Sequence, residues 1–150
     1  MSDAINSDLD AHVNRLVAYF ESLSPESLGQ LDEVYAPDVY FKDPFNEVRE
    51  LDAVRGIFMH MFEALHQPRF IVTDTIAQGE QCFLTWNFEF FFKGFEKPAL
   101  QTIRGGSHIK FTSDGRVDFH RDYWDAAEEL YEKLPWVGGL MRWLKKRTQQ

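Results

Sequence analysis

One cysteine, Cys82, stands among 150 residues, which excludes an internal disulfide and suits a reducing compartment. Cations are scarce as well. Against 24 Asp and Glu there are 16 Lys and Arg, a formal charge of -8, and a nucleic-acid backbone needs clustered positive charge to hold its phosphates, so no nucleic-acid partner is expected. No apolar run approaches the roughly 18 residues of a spanning helix. The opening stretch Met1 to Ser7 is polar and acidic, without the basic start and apolar centre of a signal peptide. A soluble, cytoplasmic protein is the expectation. Repeats, linkers and low-complexity segments are missing too, so residues 1–150 read as one domain. What the chain has in excess is aromatic: 14 Phe and 4 Trp, within a hydrophobic content of 44%, imply a thick core or an apolar cavity with rigid walls.

Helical spacing dominates the first part. Val13, Leu16, Val17 and Phe20 form one stripe in a helix over about 8–22. Ser24-Pro25-Glu26 reads as an N-cap with proline at the first helical position, opening a second helix that turns Leu28, Leu31 and Val34 inward. A short strand follows at 39–43. A third helix over about 51–66 carries Leu51, Val54, Phe58, Met61, Phe62 and Leu65 on one side. After it, 69–77, 81–93, 99–112 and 116–124 are rich in Phe, Ile, Val, Thr and Trp and are punctuated by Gly-Glu, Lys-Gly and Asp-Gly, the pattern of an antiparallel meander. Helices first and a long bent sheet afterwards give an α+β fold, with the helices laid on one face of the sheet. Asp125-Ala126-Ala127-Glu128 resembles a capping box and opens an extra C-terminal helix, interrupted near Pro135 and Gly138-Gly139.

The last hairpin decides which side chains meet. A three-residue loop Ser113-Asp114-Gly115, with Gly115 left-handed, places Phe111 opposite Val117, Ile109 opposite Phe119, His108 opposite His120, Lys110 opposite Asp118 and Gly106 opposite Asp122. On that register His108, His120, Asp122 and Trp124 share a face. Ile109, Phe111, Val117, Phe119 and Tyr123 share the other. Two arrangements remain open: the apolar face packs on a second subunit, giving a homodimer, or it is the helix-covered core and the histidine face meets solvent. Gly105-Gly106 reads either as space for a ligand above Asp122 or as a bulge that bends the strand.

The run Tyr35-Ala36-Pro37-Asp38-Val39-Tyr40-Phe41-Lys42-Asp43-Pro44-Phe45 ends a strand on a carboxylate that Pro44 holds extended at the sheet rim. It resembles the nuclear transport factor 2-like superfamily, in particular the ketosteroid isomerases, whose catalytic aspartate lies in a similar run. The resemblance implies a cone-shaped, cystatin-like α+β fold. It also implies Asp43 as base, Tyr19 as hydrogen-bond donor to a substrate oxygen, and Trp124, in the pair Tyr123-Trp124, as a cavity wall. The protonated aspartic acid that helps hold the enolate oxygen in those isomerases has no counterpart between Leu100 and Thr112; Arg104 or a neighbour takes its place. An arginine there suits a substrate that is anionic or highly polar at that end. The run His120-Arg121-Asp122-Tyr123-Trp124-Asp125 is similar to the last strand of SnoaL-like polyketide cyclases, which work without metal or cofactor. By that likeness His120 and Asp122 are acid–base candidates, with Asp43 across the cavity, and no cofactor is expected.

Other signals are weaker. His120-Arg121-Asp122 lacks the Gly-rich loop and Asp-Phe-Gly that a kinase needs. His60, Glu63 and His66 step by three, which is not a zinc-protease spacing, so no metal site is expected. Glu89 among phenylalanines faces either a cavity, with a raised pKa, or an exposed edge. The tail Trp136 to Arg147 is amphipathic with a basic end and reads as a cover for the pocket mouth or a neighbouring subunit, in preference to membrane-surface contact. Together these readings give a small hydrophobic ligand with Trp124, His108, Arg104 and Phe62 as its contacts. The function is either acid–base chemistry of the isomerase or cyclase type on a carbonyl or cyclic compound, or ligand binding and protein interaction without catalysis.

Overall fold

The structure is a computed structural model that describes residues 2–129 and residue 146. Helix α1 (Ser2–Glu21) buries Leu9, Val13, Leu16 and Phe20, spaced four, three and four apart, on the sheet. Ser24 then caps the chain reciprocally with Ser27: each hydroxyl oxygen accepts the other's backbone N–H, at 3.1 and 2.9 Å. The helix expected there is a 3-10 turn (Ser27–Gln30) running into one α-turn, α2 (Leu31–Val34). Strand β1 (Tyr35–Lys42) starts four residues earlier than its sequence suggests, and a short β2 (Glu47–Arg49) folds back on it. Helix α3 (Leu51–Ala64) precedes β3 (Leu65–Gln78), β4 (Gln81–Phe92), β5 (Gln101–Phe111) and β6 (Val117–Tyr123). Helix α4 (Ala126–Glu129) begins at the expected cap, where the Asp125 carboxylate accepts the Glu128 N–H at 3.1 Å. The interruption near Pro135 and the amphipathic tail lie outside the described residues.

The six strands form one sheet in the order β2-β1-β6-β5-β4-β3. Strands β3 to β6 are the expected antiparallel meander, while β1 joins β6 in parallel. That parallel pairing brings the start of the chain's first strand beside its last, and with it Tyr35 beside the residues of β6. Alternation in β4 is regular: Cys82, Leu84, Trp86, Phe88 and Phe90 point inward, each nearly closed to solvent. Burial pushes the Cys82 thiol up to about 12, so it packs as a small apolar group.

The β5–β6 register departs from the expected one after a single pair. Gly115 is left-handed (φ 84°) and Phe111 does face Val117. Lys110 then pairs with Phe119, which leaves Asp118 as an extra residue, a bulge. Beyond it Ile109 faces His120, His108 faces Arg121, Ser107 faces Asp122 and Gly106 faces Tyr123. The pairs His108–His120, Ile109–Phe119, Lys110–Asp118 and Gly106–Asp122 are therefore corrected. One inserted residue flips every side chain beyond it to the other face.

The two expected faces are consequently exchanged in part. Ile109, Phe111 and Val117 belong to the core together with His120, while Phe119 and Tyr123 lie on the outer face with His108. Neither arrangement drawn from the sequence fits, because both kept the five apolar residues together. The Gly105-Gly106 bulge is also corrected, since β4 and β5 pair without a break through both. They are glycines because rings lie over them: a Cβ on Gly105 would sit 2.6 Å from Trp86, and one on Gly106 2.7 Å from Phe83.

Candidate functional site

Between α3 and the inner face of the sheet lies a cavity of about 380 Å³, within the range of small-molecule sites. Ile57, His60, Met61 and Ala64, one face of α3 by helical spacing, form one wall. The inward residues of β4, with Phe41 and Ile103, form another. Asp43, Asp122 and Trp124 lie at its polar end. His120 is set behind Asp122, lining a recess of about 20 Å³ that Asp122 also borders.

The polar residues at that end form a continuous chain. Trp86 Nε1–H donates to Ser107 Oγ at 2.9 Å, and the Ser107 hydroxyl donates to Asp122 Oδ1 at 2.5 Å. The same Oδ1 lies 2.6 Å from His120 Nε2, and His120 Nδ1 lies 2.7 Å from the Tyr35 hydroxyl. Tyr35 is completely buried, and burial, reinforced by the charge of Asp122, holds its phenol well above the ordinary range. Its hydroxyl therefore keeps its proton. An ionised carboxylate can only accept, so the ring proton facing Asp122 is on Nε2, and in the neutral ring Nδ1 accepts from the phenol. His120 is thus held in one orientation between the phenol and the carboxylate. Asp122 Oδ1 is occupied by two donors, whereas Oδ2 makes no hydrogen bond among the described residues.

Replacing Tyr35 with Phe tests this assignment. The variant leaves Nδ1 buried without its hydrogen-bond partner, at a cost of about 1–3 kcal/mol at neutral pH. The phenol's contribution to stability is complete below its unfolded pKa of 10.0 and is lost as the pH rises through the higher folded value. Chemical unfolding from neutral to alkaline pH should therefore show stability falling above about pH 10, with a flatter fall in Tyr35→Phe. Parallel curves would remove the buried phenol from the account.

The other sequence candidates are placed as follows. Asp43 reaches the cavity, but Oδ1 accepts the N–H groups of Phe45 (2.8 Å) and Asn46 (2.7 Å), and the Asn46 amide donates to both oxygens at 3.1 Å. Its carboxylate closes the β1–β2 turn. Tyr19 donates to the Ser27 carbonyl at 2.8 Å, and burial raises its phenol too. It is not among the cavity's lining residues. Arg104 is on the outer face of β5, largely exposed, with its guanidinium 3.4 Å from Glu129; Ile103 takes the inward place beside it. His108 is on the outer face, 2.8 Å from Gln81, for the reason the bulge gives. Phe62 packs against the core outside the cavity lining. Glu89 is also outward, paired with Arg69 at 2.9 Å. Among the described residues no three His, Cys, Asp or Glu side chains gather as metal ligands would.

Tyr35, Ser107 and Trp86 were not singled out as site residues in the sequence, and His60 was weighed there only as a metal ligand. The signal for Trp86 was its place in the β4 alternation, and for His60 its spacing from Ile57 and Ala64. Tyr35 and Ser107 become visible only with the parallel pairing of β1 and the true register of β5.

Solved structures share this architecture. One is a hypothetical protein with ketosteroid isomerase-like fold from Catenulispora acidiphila, in complex with trimethylamine. It is 15% identical, with a TM-score of 0.65 over 79% of this chain and 88% of that one. Another is a nuclear transport factor 2-like protein of unknown function from Burkholderia pseudomallei, 18% identical, TM-score 0.66, covering 80% and 92%. A third is an LEH-like epoxide hydrolase of M. tuberculosis, 14% identical, TM-score 0.64, covering 82% and 86%. At these identities the likeness establishes the nuclear transport factor 2-like cone fold. No curated protein matches the chain at a significant level. The SnoaL-like domain family matches residues 16–120, most of the helices and sheet that build the cavity, and the chain belongs to that family.

Proposed function

We propose that the protein binds a small hydrophobic molecule in the cavity and transfers a proton to and from it, without a cofactor, with Asp122 as the general base and acid. The observation that carries this is the orientation of the Tyr35–His120–Asp122–Ser107 chain. It fixes Oδ1 with two donors and leaves Oδ2 as the atom able to exchange a proton with an occupant. His120, Tyr35 and Ser107 are positioning residues in this reading. Asp43 lies at the same polar end, and Trp124, in edge contact with Phe45 at 5.5 Å, walls the site.

A second reading, binding without catalysis, is favoured by the placement of Tyr19 and Arg104, neither of which faces the cavity to hold a developing oxyanion. The two separate on one experiment. Bicyclic ketones and the corresponding imines are incubated with the protein in deuterated buffer, and deuterium entry beside the C=O or C=N group is followed by NMR. Ala64→Trp, which adds bulk to the α3 wall of the cavity, is run in parallel. Exchange above buffer that disappears in Ala64→Trp supports catalysis in the cavity; ligand shifts without exchange leave the binding reading.

The proposal includes a homodimer across the outer face of the sheet, where Ile76, Phe83 and Tyr123 border an open depression. Light scattering at micromolar concentration that gives the single-chain mass of 17.6 kDa excludes it. None of the described helices is long and apolar enough to cross a membrane.

A further inference from the structure

We infer that the occupant of this cavity carries a positively charged nitrogen, as a hydrophobic ammonium or iminium compound. The inference rests on the assignment of Asp122 as the base and names the substrate class for it. The cavity's charged lining is one-sided: among the described residues it holds the carboxylates of Asp43 and Asp122 and no Lys or Arg. Its walls are aromatic, with Phe41, Phe58, Phe88 and Phe90 among them. Ring faces attract an organic cation, more strongly where water is excluded, and an aromatic wall beside a carboxylate recognises an alkylated nitrogen.

The reaction points the same way. Taking a proton from a neutral ketone would move negative charge from Asp122 onto an enolate oxygen that still faces Asp43 among mostly apolar walls. The lining side chains with ring N–H groups left to meet that oxygen are His60 and Trp124, neither of which makes a hydrogen bond among the described residues. An oxyanion normally depends on several preorganised donors. An iminium ion removes this difficulty. Asp122 Oδ2 takes the proton from the carbon next to C=N⁺; the C–H electron pair becomes the C=C bond, and the C=N π pair becomes the nitrogen lone pair. One carboxylate and one cation give a neutral acid and a neutral enamine, so charge is cancelled beside apolar walls, where cancellation is favoured more than in water.

Phenylbutylamine, phenylbutanol and phenylbutyrate share one apolar body and differ in the charge of the head group, so their calorimetric affinities at neutral pH and one ionic strength test the inference directly. The protonated amine is expected to bind at least about tenfold more tightly than the alcohol, and the carboxylate least of the three. In Asp122→Asn, checked for folding by thermal unfolding, the amine's advantage should shrink toward the alcohol's level. The wild-type comparison stands even where that variant does not fold. Equal binding of amine and alcohol, or a preference for the carboxylate, overturns the inference and leaves the acid–base reading of the cavity in place. Failure of all three to bind overturns both.

Discussion

Asp122→Asn should lower proton exchange on a bound substrate by about 10²–10⁴-fold, the usual contribution of a positioned general acid–base group, while leaving the protein folded. The separation follows from the polarity of the hydrogen-bond chain. Ser107 Oγ and His120 Nε2 both donate to Oδ1, so the asparagine carbonyl takes that place without loss of either bond. The amide nitrogen then occupies the position of Oδ2, where it makes a donor that cannot accept a proton. His120 keeps its orientation, because the Tyr35 hydroxyl still lies 2.7 Å from its other nitrogen. The stability change should therefore fall within about 1 kcal/mol, the net worth of an ordinary hydrogen bond. Deuterium incorporation and urea unfolding of the same preparation check the two halves together. Exchange that persists unchanged in a folded variant removes Asp122 from the chemistry and shifts attention to Asp43, the other carboxylate on the cavity. His120→Ala should act differently, costing stability as well as rate, since it strands the Tyr35 hydroxyl and opens a void between Phe20 and Phe41, whose rings lie 5.6 and 4.8 Å from the imidazole.

The architecture was legible because it depends on periodicities that local sequence carries: the 3.6-residue stripe of α1, the alternation of β4, the turn chemistry of Ser113-Asp114-Gly115. Asp43, Asp122 and Trp124 were legible as companions, since strand ends and alternation bring them to one rim. What failed was long-range register. A bulge at Asp118 leaves no signature that separates it from a regular pair, yet it moved His108 out of the site and seated His120 among core residues. The same limit hid Tyr35. Its role depends on β1 lying parallel to β6, 85 residues away in the chain from its partner His120, and no local pattern specifies such a pairing. Arg104 and Tyr19 were assigned through the resemblance to the ketosteroid isomerases, which does not say where their side chains point in this chain. Here Ile103 takes the inward place next to Arg104, and the Tyr19 hydroxyl serves the Ser27 carbonyl.

Trp86→Ala should be the most destabilising single change near the site, by about 3–5 kcal/mol. The indole is buried, stands at 90° to the Phe70 ring 5.6 Å away, and lines both the cavity and the recess beside His120. It also covers Gly105 so closely that a methyl group there would meet it at 2.6 Å. That contact gives the prediction a second, sharper part. In the wild-type background Gly105→Ala drives a Cβ into a ring packed on both sides, an overpacking expected to cost about 1–3 kcal/mol. Once Trp86 is alanine the ring is gone, and the added methyl instead fills part of the void and stiffens a strand position where glycine is intrinsically worse than alanine by about 0.5–1 kcal/mol. Gly105→Ala should then become neutral or stabilising, with a coupling between the two sites in the range of about 0.5–3 kcal/mol seen for residues in direct contact. Urea unfolding of the two single variants and the double variant measures that coupling. Strict additivity would mean that the indole does not lie over Gly105, and the cavity wall drawn from Trp86 would have to be abandoned with it.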